Sequence, residues 1–316
     1  MQYVDHRLWV AAAILCCLAS GMDSFADDSN PVESAREALN AQSRQKISRD
    51  VKLSRKTLFG DGESADDWWQ VRYFRDGQRL DVEVKQFEKD KIVPVFRARA
   101  IWTDEGWVTR ETNAPSGTNG QRVAVSKAPD ARNQVLLRPW ALPIFEGILS
   151  GDQKSAISIV LDANPTVDTD MIGGIKCVEL TANTQAGQYI VWLDAAAGML
   201  PRKIKQHNEG KTLPEHLRSI PQPVVMDVEI SDIKIECLDG QYVITGATES
   251  GRITSKDKVI SDWRYVAESQ KTEVNPRFDA KAFVMDGIPE GAGLLNEDDP
   301  DTRYMWKAGK AIKVYE

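Results

Sequence analysis

The chain has 316 residues, a formal net charge of −7, and 42% hydrophobic against 28% charged residues. That balance describes a folded globule and excludes a disordered chain. Mild acidity without a long basic run argues against a nucleic-acid partner.

Leu8 to Ser20 reads LWVAAAILCCLAS, an apolar core preceded by Arg7 and followed by Ser24-Phe25-Ala26 and the polar DDSNP. This is the order of a secretory signal. The run is shorter than the roughly 20 residues a membrane-spanning helix needs. Leu15 and Cys16 are poor stand-ins for the small residue that precedes the cysteine of a lipid-anchored precursor. The sequence therefore predicts a signal peptide over 1–26, cleaved near Ala26, and one mature domain over 27–316, periplasmic or otherwise exported. Losing Asp5, Asp23 and Arg7 takes the formal charge from −7 to −6. No later stretch is long and apolar enough to cross a membrane, so the mature chain is expected not to be integral to one.

Pro31 to Gln42 carries the marks of a helix: Pro in the first turn, an early acid, and Val32, Ala35 and Leu39 on one face. From Ile47 the period changes to two. Trp69, Val71 and Tyr73 share one face, with Trp68, Gln70, Arg72 and Phe74 on the other. Asp76-Gly77 marks a hairpin, after which Leu80, Val82 and Val84 alternate with Asp81, Glu83 and Lys85. Phe96, Ala98, Ala100 and Trp102 oppose Arg97 and Arg99, and Glu105-Gly106 closes the next hairpin. Asn113 to Gly120 reads as a loop. Asn133 to Ser150 is apolar without period two and is broken by Pro139 and Pro143, which suggests short helical pieces. Ala156 to Leu161 and Gly174 to Ala182 read as strands. Gln188 to Asp194 is apolar on both faces, as a strand covered on both sides would be. Lys211 to Pro223 is a connector. Val224 to Cys237 alternates and changes phase near Ser231-Asp232, as at a β-bulge. Asp239-Gly240 is another hairpin signal, and Val259 to Ala267 puts Trp263 and Tyr265 on one face. The whole reads as a mainly β chain with a few helices, built on one large curved antiparallel sheet or half-barrel over short helices.

Two segments resemble a known family. Tyr189 to Lys203 (YIVWLDAAAGMLPRK) is similar to the hairpin of the lipoprotein-localisation-factor superfamily: a strand ending W-L-D, a short turn, then G-x-P and a basic strand. Here two residues, Met199 and Leu200, separate the glycine from the proline. Phe278 to Gly291 resembles that family's closing strand F-x-F followed by P-x-G, with the phenylalanines further apart. Relative to the compact carrier the chain has extra material near 110–150 and 205–223, and a tail over 296–316. The resemblance implies an antiparallel half-barrel over a few helices with an apolar cavity, and a carrier or chaperone for a lipid or an acylated protein. A second use of the fold is an envelope sensor that contacts a protein partner and transports no lipid. The residues placed to line such a cavity are Trp69, Tyr73, Phe96, Trp102, Leu136, Trp140, Phe145 and Trp192. Removing an acyl chain from water would contribute about 0.8 kcal/mol per methylene.

The chemistry of catalysis is not legible. The mature chain has two histidines, His207 and His216, each beside charged or proline-containing segments, and lacks a GxSxG nucleophile elbow. Neither HExxH nor CxxC occurs, so no zinc site or other cofactor is implied. Glu297 to Asp301 has calcium-like residue types without the spacing of a calcium loop. No enzyme is expected. Cys177 and Cys237 remain as a candidate disulfide in an oxidising compartment, which would close a loop of about 60 residues and contribute ~4 kcal/mol. The alternative is two thiols acting as small hydrophobes.

Overall fold

The computed structural model describes residues 30–314 apart from 61, 90–92, 114–120, 128–142, 151, 222, 257 and 280, and leaves undescribed the side chains of 113, 121 and 216. The predicted leader, Leu136 and Trp140 lie outside the described residues. Helix α1 spans Pro31–Arg44; its Asn30 cap accepts a hydrogen bond from Val32 N, and Pro31 opens it.

Thirteen strands then form two meanders. The first is β1 (Lys46–Phe59), β2 (Ser64–Asp76), β3 (Arg79–Glu88), β4 (Phe96–Thr103), β5 (Gly106–Asn113) and β6 (Gln121–Ser126). The second is β7 (Thr166–Ile172), β8 (Ile175–Thr184), β9 (Gly187–Asp194), β10 (Leu200–Glu209), β11 (Val224–Leu238), β12 (Gln241–Ser255) and β13 (Lys258–Val274). Each strand pairs antiparallel with its predecessor, and the meanders fuse where β1 lies antiparallel to β13, from Ile47 opposite Val274 to Phe59 opposite Ser261. Three short strands, β14 (Gly293–Asn296), β15 (Tyr304–Lys307) and β16 (Lys310–Lys313), extend the β6 edge, β14 running parallel to β6. Among the described residues the result is one large curved open sheet, as the periodicity predicts, with 16 strands.

The alternation sets which side chains meet. Ile47, Val51 and Leu53 of β1, Val71 of β2, Val82 and Val84 of β3, and Tyr189, Val191 and Leu193 of β9 all point inward and are at most 3% exposed. Against this face lie Ala35 of α1, the 3-10 turn Pro143–Glu146 with Ile144 and Phe145, then Ile148 and Leu149. The second helix, α2, spans Ala156–Asp162 and turns Ala156, Ile157, Val160 and Leu161 into the same core. A strand was expected over Ala156 to Leu161. The buried positions instead fall at i, i+1, i+4 and i+5, a helical face, and Ser155 caps the start by accepting from Ser158 N. Strand β7 was not anticipated. It is an exposed edge strand whose Asp168 and Asp170 discourage further pairing.

Other expectations hold locally. Asp239 and Gly240 both take positive φ (49° and 77°) between the paired residues Leu238 and Gln241, the geometry of a type I′ hairpin. Register shifts on both sides of Lys234, next to Asp232 at φ 51°, place a bulge where the phase changes.

The outer face is covered on one side only. Phe283, Met285, Ile288, Leu294 and Trp306 of the C-terminal segment pack on Ile101 and Val125 and form a second core. Phe278 to Gly291 is thus turn and coil on the outer face rather than a closing strand, with Phe278 edge-on to Phe283 at 5.1 Å. Asp81, an outward residue of β3, is buried beneath it. It accepts from Arg99 Nε and Nη2 at 3.0 and 2.6 Å and from Phe283 N at 3.3 Å.

Cys177 and Cys237 are not joined. They stand on β8 and β11 with β9 and β10 between them. Three inter-strand steps amount to about 14 Å, twice the roughly 7 Å limit for a disulfide's Cα atoms. The expected disulfide is corrected accordingly.

Replacing Asp81 with Ala leaves the Arg99 guanidinium without its buried partner, and should lower stability by about 3 kcal/mol in urea unfolding. The same variant should gain protease cleavage sites within 276–314 before any appear in β7–β13.

Candidate functional site

The inner face is largely apolar, and its buried arginines cluster at the seam between the meanders. There the inward phase of β1 and β2 delivers Arg49, Tyr73 and Arg75, in cross-strand register with Arg49 opposite Tyr73 and Ile47 opposite Arg75. Arg75 is 5% exposed; its Nη1 lies 2.8 Å from both Glu146 oxygens and its Nη2 donates to Gln42 O at 2.9 Å. Tyr73 donates its hydroxyl to Glu146 Oε1 at 3.0 Å. One carboxylate from the 143–146 turn thus answers one guanidinium and one phenol.

Arg49 has no such partner. It is 6% exposed, makes no hydrogen bond among the described residues, and its guanidinium lies 4.7 Å over the Phe145 ring. A cation–π contact contributes about 0.5–2 kcal/mol, less than burying an unpaired charge costs. Burial lowers the Arg49 pKa to about 10; Glu146 resists the fall and the neighbouring Arg75 adds to it. Burial and Glu146 together hold the Tyr73 phenol proton above its ordinary range.

Arg49 and Arg75 border a hollow of about 70 Å³ walled by Leu39, Phe145, Ile157, Leu200, Tyr242 and Ile244. The hollow adjoins a groove of about 790 Å³ between α1 and the 197–200 turn, and the two share Gln42, Gln45, Leu200 and Tyr242 as walls. Ala38 and Ala41 of α1 and Met199 of the turn line the groove further out. The turn is rigid: Asp194 accepts from the amides of Ala196 and Ala197 and from Arg202, and Gly198 takes φ 67°.

Beyond the turn at Glu146, the chain stays anchored to the inner face by polar contacts. Ser150 donates to Glu249, which also accepts from Trp263 Nε1 at 3.1 Å. Asp152 accepts from the Tyr189 hydroxyl at 2.8 Å and from Gln206 Nε2 at 3.3 Å. Burial pushes the Asp152 carboxyl up to about 7 against the opposing effect of those two hydrogen bonds, and burial raises Glu249 as well.

No family model and no curated protein matches the chain. Solved structures that are similar to it include the following two. One is a DUF1329 family protein from Desulfovibrio piger, 11% identical, with 81% of this chain and 98% of that chain covered at a TM-score of 0.43. The other is a LolA superfamily protein from Nitrosomonas europaea, 10% identical, covering 80% and 97% at 0.39.

The residues expected to line a cavity are distributed unevenly. Tyr73 and Phe145 meet at the arginine cluster. Trp69 is inward and 3% exposed, packed in the core with Arg55 5.2 Å over its ring. Phe96 and Trp102 lie partly buried on the inner face of β4. Trp192 is on the opposite face and is corrected. Tyr189, Val191 and Leu193 take the inward phase, so Trp192 points out, covered by Lys203 and Lys205 and donating Nε1 to Glu179 at 2.9 Å and Asp170 at 3.2 Å. His207 is also on the outer face, with Nδ1 2.7 Å from Asp227. The residues missed were Arg49, Arg75 and Glu146. The first two were detectable: an arginine in the inward phase of an alternating strand breaks the pattern that its neighbours Ile47, Val51 and Val71 set.

The Asp152 shift has a pH signature. In the unfolded chain an Asp titrates near ~4; in the fold Asp152 titrates near 7. Between these values the folded state binds the extra proton, so this group's contribution to stability is greatest at low pH and falls as pH rises through the window, by about 1 kcal/mol per unit. Asp152→Asn should flatten that slope: urea midpoints of variant and wild type should coincide near pH 4, with the variant more stable at pH 8.

Proposed function

We propose that this chain is an exported, non-catalytic binding protein for a ligand with an acyl chain, held in the groove beside α1 and carried or presented by the curved sheet. The observation that carries this reading is the groove itself. Its volume, about 790 Å³, falls within the roughly 300–1,000 Å³ of clefts that hold small molecules. Ala38, Ala41, Met199 and Leu200 line it together with Glu37, Arg44, Gln241 and Asn275, and it adjoins the hollow that Arg49 and Arg75 border.

The shape differs from a single large apolar hollow under the sheet. Among the described residues the inner face is closed by its own side chains, and the enclosed space at the seam is only about 70 Å³. The groove lies at the rim, where α1 bridges to the 194–200 turn, so a chain can enter without displacing the core. Export is supported by the order of residues at the start of the chain. Among the described residues no helix is long and apolar enough to cross a membrane.

Delipidated protein should take up a fluorescent acyl probe, and an unlabelled fatty acid should displace it. Ala41 is exposed on α1 and faces the groove. Ala41→Trp fills the groove without touching the core and should weaken uptake by about tenfold or more, at an unchanged melting temperature. A wild type that takes up no probe, or an Ala41→Trp variant that binds it as well as wild type, would sink the reading.

A further inference from the structure

We infer that the ligand's head is an anion, a carboxylate or a phosphate group, received by the Arg49 guanidinium at the inner end of the groove. The inference deepens the reading of the groove as an acyl site and rests on it for the chain, but not for the head.

Charge and access both lead there. Two arginines, Arg49 and Arg75, enter a largely apolar face and border the same hollow. Glu146 is committed to Arg75 through two 2.8 Å contacts and to the Tyr73 hydroxyl. Nothing among the described residues gives Arg49 a hydrogen bond, and its Nε is buried with no partner. A buried guanidinium offers five N–H donors and cannot shed its charge at neutral pH, so it demands an acceptor. The Phe145 ring packs against the guanidinium, 4.7 Å from its central carbon to the ring centroid, and the same two side chains border the hollow. The hollow there, about 70 Å³, is too small for a chain and large enough for a head group. Gln42, Ser43 and Gln45 form its polar rim, with Ser43 donating to Asn40 O and Gln45 to Gln241 Oε1, so the charged donor there is Arg49 itself. A buried forked donor bordering a small hollow that adjoins the groove suits a carboxylate or phosphate, which a guanidinium can bind bidentately.

Binding of palmitate, hexadecanol, hexadecyl phosphate and inorganic phosphate to the full chain tests this, read by calorimetry and by the shift in melting temperature. Wild type should bind palmitate and hexadecyl phosphate about tenfold or more tightly than hexadecanol, since a charge-assisted bidentate pair is what distinguishes them. Arg49→Met should erase that preference and leave hexadecanol affinity unchanged, and Arg49→Lys should restore part of it. Equal affinity of wild type for palmitate and hexadecanol overturns the inference and leaves the acyl groove standing. Stabilisation by inorganic phosphate in wild type but not in Arg49→Met, with no binding of any hexadecyl compound, supports the anion site and overturns the acyl reading. If none of the four binds, both fall. Should Arg49→Met fail to fold, Arg49→Lys and the wild-type head-group comparison still decide the matter.

Discussion

The antiparallel pairing of β1 with β13 is the interaction on which this molecule depends. Its partners, Ile47 and Val274 at one end, are separated by most of the chain. Forming it therefore costs far more loop-closure entropy than any hairpin, and that cost is recovered only when the two meanders bury their inner faces together. Without the pairing the β1–β6 and β7–β13 sheets would each present an open edge and a bare apolar face. With it, both curve around the same helices.

The pairing also creates the site. Arg49 and Arg75 come from the first meander, Tyr242 and Ile244 from the second, Glu146 and Phe145 from the segment between them, and Gln42 from the helix that precedes all of these. No two neighbouring elements could assemble this set. Polar groups at such a seam are costly unless satisfied, and most here are: Arg75, Tyr73 and Glu146 close on one another. The same reasoning makes Arg49 stand out, because among the described residues no acceptor receives a hydrogen bond from it. Glu249 of β12, and Asp152 of the segment after Glu146, do find donors, and these contacts pin that segment to the inner face.

The two faces show how one chain separates packing from solubility. Inward, the rows from β1, β3 and β9 are mostly Ile, Leu and Val at near-complete burial, with Arg49 and Tyr189 among them. Outward, paired charges run across the strands, as Lys203 and Lys205 do with Glu229 and Arg252 does with Asp262. Such exposed pairs contribute little stability, yet they keep the uncovered part of a wide sheet hydrated. Where the outer face does carry apolar residues, at Ile101 and Val125, the C-terminal segment covers them and Asp81 with Arg99 fastens it. The extra tail is therefore a second cover rather than an appendage.

By itself the sequence determined the elements whose causes are local. Period two set the inward and outward rows of β1 to β5 and β9 to β13; Asp239-Gly240 set a hairpin through positive φ, and the phase change at Ser231-Asp232 marked the bulge. Alternation sets Trp192 on the opposite face from Tyr189, Val191 and Leu193, but with both rows apolar it does not say which of them is inward. Only the tertiary structure decided what depends on distant partners. Ala156 to Leu161 is short and rich in Ile and Val, so propensity reads it as strand, but Ser155 and a core already filled by β8 and β9 favour the helix. The order of strands set Cys177 and Cys237 too far apart to bond. And whether an inward arginine meets a carboxylate or remains without one is a question of which segment folds over it, which no local pattern encodes.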